Sequence, residues 1–160
     1  MNTAFSHTRT GRIPLPEPPT AVRLAAALLA VALVSGAVEA YVRVAQSTGG
    51  VPLAVLDEIT PRLVLYGVIG LVVGRFHRGS RWAHGVLLVG IGVVGTASLV
   101  IDPVMWLVSG PDVGATVAGL TAADWLVVTA RAVHLVAVLV AVALMLHPST
   151  WRFGSQRSKK

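Results

Sequence analysis

Four long apolar runs dominate the chain, over about residues 21–44, 52–75, 82–102 and 122–146, and short polar stretches rich in glycine, proline and arginine separate them. The runs hold 21 to 25 residues each. At 1.5 Å per helical residue they match a hydrocarbon core of ~30 Å, so each predicts a membrane-crossing helix. The polar segments set the boundaries. Gln46–Val51 carries Gly49-Gly50 and leads into Pro52, which suits the first turn of a helix. Residues 76–81 form a short basic loop, Asp102-Pro103 predicts the end of the third span, residues 104–108 then lie along the interface, and 109–121 form a polar loop. His147-Pro148 ends the fourth span.

The second run departs from this pattern. Its first half contains Asp57, Glu58, Pro61 and Arg62. A charged side chain at the centre of a lone membrane helix costs about 2.5–3.5 kcal/mol on insertion scales, so neighbouring helices must supply partners. Pro61 deprives one carbonyl of its donor and predicts a kink. A helix starting only at Thr60-Pro61 would reach roughly 22 Å, too short to cross, so the full span is expected.

The fold class that follows is an all-α membrane protein, a four-transmembrane-helix bundle spanning residues 21–147. It is flanked by a disordered Pro-rich tail (1–20) and a basic tail (148–160). Orientation follows from the basic residues. Arg9, Arg12 and Arg23, then Arg75, Arg78 and Arg81, then Arg152, Arg157, Lys159 and Lys160 fall on one side, while the opposite loops hold only Arg43 at a helix end. The positive-inside rule places both termini in the cytoplasm. Trp82 and Trp151 then mark the inner interface, and Tyr41, Trp106 and Trp125 the outer one. Span one also resembles a secretory signal, with a V-x-A cleavage site ending at Ala40. The apolar run continues past Ala40, however, and cleavage would remove Glu39, so a retained span is expected.

Composition sharpens the class. Hydrophobic residues make up 54% of the 160 and charged ones 12%, with a mean hydropathy of +0.75, outside the soluble range. The net charge of +6 does not imply nucleic acid, because the arginines flank apolar spans and no basic block is interleaved with aromatics. The chain has no cysteine, which excludes disulfides, thiolate metal sites and cysteine nucleophiles. Arginine outnumbers lysine eleven to two, and Ala, Val and Gly dominate, a composition typical of a GC-rich bacterial genome. A bacterial inner (plasma) membrane is the expected location. The partners implied are the lipid bilayer, anionic lipid at the basic loops and tail, and a second copy or a larger membrane complex.

Candidate chemistry concentrates in the outer half. Six of the seven acidic residues lie there, together with Arg43, Arg62 and Arg131. Glu39–Arg43 and Glu58–Arg62 are i,i+4 pairs with the acid first, the favourable order. Asp124, Arg131 and His134, spaced seven and three, share one face of span four. Arg62 and Arg131 sit roughly 13–15 Å below their helix starts and lean outward, toward Glu39 on a helix running the other way. The candidate cluster is therefore Glu39, Asp57, Glu58, Arg62, Asp124, Arg131 and His134. Two readings compete: ion pairs that fix which helices are neighbours, and a polar pocket, open to the outside, that binds a ligand or conducts protons. Gly67, Gly70 and Gly74 on span two and Gly92 and Gly95 on span three predict close packing between those helices, with a homodimer seam as the alternative. His84 and His147 near the inner interface make a bis-histidine haem conceivable, but nothing else supports it, so no cofactor and no metal are expected. No nucleophile motif or phosphate loop is present, and no catalytic residue is assigned.

The junction Gly70-Leu-Val-Val-Gly-Arg-Phe-His-Arg-Gly-Ser-Arg-Trp-Ala-His resembles the span-two/span-three loop of uncharacterised small four-span actinobacterial integral membrane proteins. There a glycine-rich helix end, a basic turn and a Trp-Ala-Arg start recur, and His84 stands here at the third position. The resemblance covers about 20 residues and implies no activity. Small multidrug exporters also have four spans and a glutamate in the first, but theirs sits near mid-membrane, whereas Glu39 is only about 7 Å from the outer helix end by helical rise. The function expected is that of a non-enzymatic accessory or scaffold subunit. The alternative is a small transporter or ligand-binding protein in which Arg62, Arg131 and His134 line an outward-facing cavity for an anionic group. Third comes a membrane-embedded enzyme using His134 with Asp57 or Glu58.

Overall fold

Pro19 stands in an extended conformation (φ −54°, ψ 150°) just before the first helix, and α1 then runs over Thr20–Ser47. The computed structural model describes residues 17–49 and 52–151. Nearly all of the expected Pro-rich tail, and the basic tail beyond Trp151, lie outside the described residues. The hydroxyls of Ser47 and Thr48 both donate to the Val44 carbonyl, at 3.0 and 2.7 Å, and so satisfy the open end of α1. Gly49 follows with φ +62°, a left-handed conformation that turns the chain back.

Helix α2 spans Pro52–His77 without a break at Pro61. The carbonyls around that proline find side-chain donors: Thr60 Oγ1 donates to Leu56 at 2.6 Å and Arg62 to Glu58 at 3.5 Å. Gly79 and Ser80 make the next turn, with Ser80 accepting from the Ala83 amide as the N-cap of α3. Helix α3 covers Arg81–Val108. Its middle, Leu88–Gly95, is wound as a π-helix, and the Thr96 hydroxyl donates back to the Ile91 carbonyl at 3.3 Å. Three glycines fall in this segment and thin its side-chain crowding.

Helix α3 also passes straight through Asp102-Pro103 to Val108, where the sequence predicts an end and an interfacial stretch. The physical reason is the alternative. Pro103 deletes one backbone bond, whereas stopping a helix there would strand four carbonyls away from water. The following loop is not wholly irregular. Asp112 caps a short helix α4 over Val113–Ala118. Helix α5, Ala122–Leu146, opens with a capping box between Thr121 and Asp124 and closes at His147, extended before Pro148. Helices α1, α2, α3 and α5 are long and apolar enough to cross a membrane, which marks the chain as a multi-pass membrane protein.

Helices α1 and α5 form the most extensive contact, and α2 also packs against α1. The α1–α5 seam is made of small residues. Ala25, Ala32 and Gly36 on α1 and Ala130, Ala137 and Ala141 on α5 are all buried and repeat the same spacing of seven and four. Lipid chains are as apolar as these side chains, so association rests on close backbone approach. Leu29, Phe76, Leu87 and Met145 complete a solid core at the end where α1 starts and α5 finishes.

Helices α2 and α3 meet only near their shared loop and separate beyond it. The predicted glycine seam between them is therefore not present. A methyl group at Gly67 or Gly74 would meet nothing within 4 Å, and one at Gly70 would approach Leu33 of α1 at 3.9 Å. Gly92 faces Val142 of α5, and Gly95 lies against its own helix's Gly90 carbonyl. The short loop brings two helix ends together, but the packing partner of each helix is α1 or α5. Gly67→Ala and Gly74→Ala are expected to leave stability unchanged or raise it by up to about 1 kcal/mol through helix propensity. Gly92→Leu should lower the midpoint of unfolding in sodium dodecyl sulfate, since its side chain must displace Val142 from 3.2 Å. Unfolding curves of the three variants check this.

Candidate functional site

The site begins with the antiparallel register of α1 and α5. Gln46 Nε2 at the end of α1 donates to Asp124 Oδ1 at the start of α5, 3.1 Å away. Seven residues back along α1 and seven forward along α5, Arg131 Nε donates to Glu39 Oε1 at 2.9 Å. Arg43 Nε, one turn from Glu39 on α1, reaches the same oxygen at 3.1 Å. Glu39 is only 7% exposed. Charge-assisted bonds of this kind are the strong ones, and here they also spare a buried carboxylate from standing alone.

Three residues deeper on each helix, Gly36 faces His134. A side chain at Gly36 would place its Cβ 2.8 Å from His134 Cε1 and 2.9 Å from Nδ1, so only glycine admits the imidazole there. Tyr66 of α2 closes the group by donating its hydroxyl to the Gly36 carbonyl at 3.2 Å. His134 Nδ1 is shielded from solvent and has no hydrogen-bond partner. An orphaned buried nitrogen of that kind is uncommon in folded proteins.

These residues form one end of a cavity of about 660 Å³ between α1, α2, α3 and α5. Glu39, Arg43, Arg62, Tyr66, Arg131 and His134 line the polar end. Leu29, Leu33, Val72, Leu87, Ile91 and Val138 line the rest. The cavity exists because α2 and α3 separate above their loop, and the π-helical segment contributes Gly90, Ile91, Val94 and Gly95 to its wall. Three guanidiniums against one carboxylate leave the polar end with two excess positive charges.

Arg62 is the least committed of the three. Its single described hydrogen bond is the 3.5 Å approach to the Glu58 main-chain carbonyl of its own helix, at the limit of what counts as a bond. The expected Glu58–Arg62 ion pair does not form; the ion pairs in this region both go to Glu39. Asp57 and Glu58 are exposed and lie outside the cavity wall. Asp124 is spent on the helix terminus: its Oδ2 accepts from the Thr121 amide and hydroxyl at 2.9 and 2.6 Å. Of the seven predicted cluster residues, the fold brings together Glu39, Arg62, Arg131 and His134. Reasoning from sequence missed Tyr66 and Gly36. Tyr66 stands one turn after Arg62 on the same face, a signal that was available. Gly36 carries no such mark.

The chemistry this arrangement can perform is recognition of negative charge. The acid–base pairing of His134 with Asp57 or Glu58 is not assembled, because neither carboxylate reaches the cavity. Among the described residues no three His, Asp or Glu side chains converge as a metal would need. His84 sits elsewhere, edge-on to Phe76 at 5.6 Å and tilted against Trp151 at 4.8 Å, and His147 Nδ1 pairs with the Ser149 hydroxyl at 2.9 Å.

Arg131→Leu is expected to destabilise the fold by about 3 kcal/mol, the usual penalty for taking a partner from a buried charge, here Glu39. Glu39→Leu combined with Arg131→Leu should recover most of that loss. Gly36→Val should match the single charge variant in severity by expelling His134. Unfolding midpoints measured in one detergent compare all three.

The sequence matches no protein-family model, and no curated protein or solved structure matches it.

Proposed function

We propose that the chain is a ligand-binding protein of a bacterial plasma membrane, a carrier or receptor whose cavity takes an anionic group from the outer side. One observation carries this reading: a cavity of about 660 Å³ whose polar end holds more guanidiniums than carboxylates. Ligand sites are concave and mostly apolar, with a few convergent polar groups, and volumes of roughly 300–1,000 Å³ are typical. A cluster serving structure alone has no need of an uncommitted arginine. Arg62 is one, with only a 3.5 Å approach to a carbonyl of its own helix.

The orientation proposed is both termini in the cytoplasm, which places the polar end of the cavity beneath the outer headgroups. The basic loop Arg75–Arg81 and Arg23 support it, since they lie at the opposite end of the helices from Glu39 and Arg131. The scaffold reading keeps one observation in its favour. Gly67 and Gly74 leave an uncovered strip on α2 that another helix could meet.

Two measurements test the proposal. Reporter fusions at each terminus should both report the cytoplasm; ends on opposite faces would overturn the orientation. In phosphatidylcholine nanodiscs, sodium benzoate or inorganic phosphate should stabilise the fold against unfolding, by about 1.4 kcal/mol at ten times Kd and logarithmically more above it. Choline chloride should not, and Arg62→Gln should abolish the shift. Equal responses of Arg62→Gln and the parent to every anion would sink the binding reading.

A further inference from the structure

We infer that the ligand is an anionic single-chain amphiphile, an acyl or alkyl chain carrying one carboxylate or phosphate head, which enters sideways from the bilayer between α2 and α3. This rests on the cavity being an anion site and goes on to say which kind of anion. The lining is polarised along its length. Every titratable side chain that lines it falls at one end, among Glu39, Arg43, Arg62, Tyr66, Arg131 and His134. From there the wall is hydrocarbon, reaching back along α1 to Leu29 and along α3 to Val86. Leu29 to Arg43 is fourteen residues of helix, so the cavity extends roughly 20 Å along the bundle. An acyl chain of one leaflet occupies about 15 Å, half of a ~30 Å core. A small hydrophilic anion would leave most of that length unfilled.

The way in is lateral. Beyond their shared loop α2 and α3 separate. Leu65 and Val68 on one lip and Val94 on the other line the cavity and are also exposed at the surface of the helices. That gap lies at membrane depth, where lipid chains are the surrounding solvent. A ligand arriving there brings its chain first into contact with apolar lips and its head into reach of Arg62, which stands one turn from Leu65 on the same face of α2. Arg43 and Arg131 hold Glu39 through their Nε atoms, so their terminal nitrogens supply a secondary positive field. The unpartnered His134 Nδ1 adds one further polar contact at the same end.

Gly90 lines the cavity wall, and a Cβ built there meets nothing within 4 Å. A palmitate analogue bearing a diazirine near its methyl end is photolysed with the full-length protein in phosphatidylcholine nanodiscs, and labelled peptides are mapped by mass spectrometry. Labelling should be saturable and concentrated on residues 65–72 of α2 and 86–94 of α3. Unlabelled palmitate and hexadecyl phosphate should compete, the better of the two identifying the head group, while hexadecanol and hexadecyltrimethylammonium should not. Arg62→Gln and Gly90→Leu should each reduce labelling at least tenfold, and Arg62→Lys should retain part of it.

If benzoate competes as well as palmitate, or cavity labelling is absent while the Arg62-dependent anion effect persists, the amphiphile inference falls and the anion site stands. If hexadecanol competes equally and Arg62→Gln labels like the parent, the cavity is a passive lipid space and both readings fall. Labelling spread evenly over all lipid-facing helix surfaces also overturns the lateral route.

Discussion

A single carboxylate oxygen organises this protein. Glu39 Oε1 takes a guanidinium from its own helix and another from α5, at 3.1 and 2.9 Å. In water such a pair contributes little, but among helices in lipid the partners have nowhere else to go. The pair works less as a source of stability than as a constraint on register. With Arg131 tied to Glu39, Gly36 must face His134, and Gln46 reaches Asp124. Ala32 then packs with Ala137 and Val138 at the next level of the same seam. One polar contact thus sets the level of each pair along two whole helices.

That constraint also explains why the molecule is solid at one end and hollow at the other. Small residues on α1 and α5 let those helices run close together for their whole length. Helix α2 follows α1, while α3 touches α2 only beside the loop and leans on α5. The two outer helices are therefore held by different partners. The space between them widens away from the loop, and it is there that the arginines stand. Polar groups within a membrane fold are satisfied by neighbours or by something else that occupies the site. Glu39 has its neighbours. Arg62 has only the 3.5 Å approach to the Glu58 carbonyl of its own helix, and His134 Nδ1 has no partner among the described residues.

The π-helical stretch of α3 belongs to the same picture. Its glycines Gly90 and Gly95 leave backbone as cavity wall. Pro103 lies further along the same helix without breaking it. Both irregularities are tolerated because a helix in lipid keeps as many internal hydrogen bonds as it can, since no water is there to replace them.

Sequence by itself determined the number of long apolar helices and, except where the third runs on past Pro103 to Val108, their approximate limits, since length and hydropathy are properties of consecutive residues and need no partner. It also placed Glu39, Arg62 and Arg131 in the same half of their helices, with His134 slightly deeper, because helical rise converts position directly into height. Caps such as Ser80 and Thr121 are equally local. Tertiary structure alone decided who faces whom. Glu58 and Arg62 are four apart and of opposite charge, yet they do not pair. Gly67, Gly70 and Gly74 carry the pattern of a helix seam, yet Ala25, Ala32 and Gly36 form one instead. Rotation of each helix about its axis is set by all its neighbours together, so no single helix's spacing encodes it. Whether charges at one depth close on each other or leave a cavity is a property of that rotation, and only the assembled helices hold it.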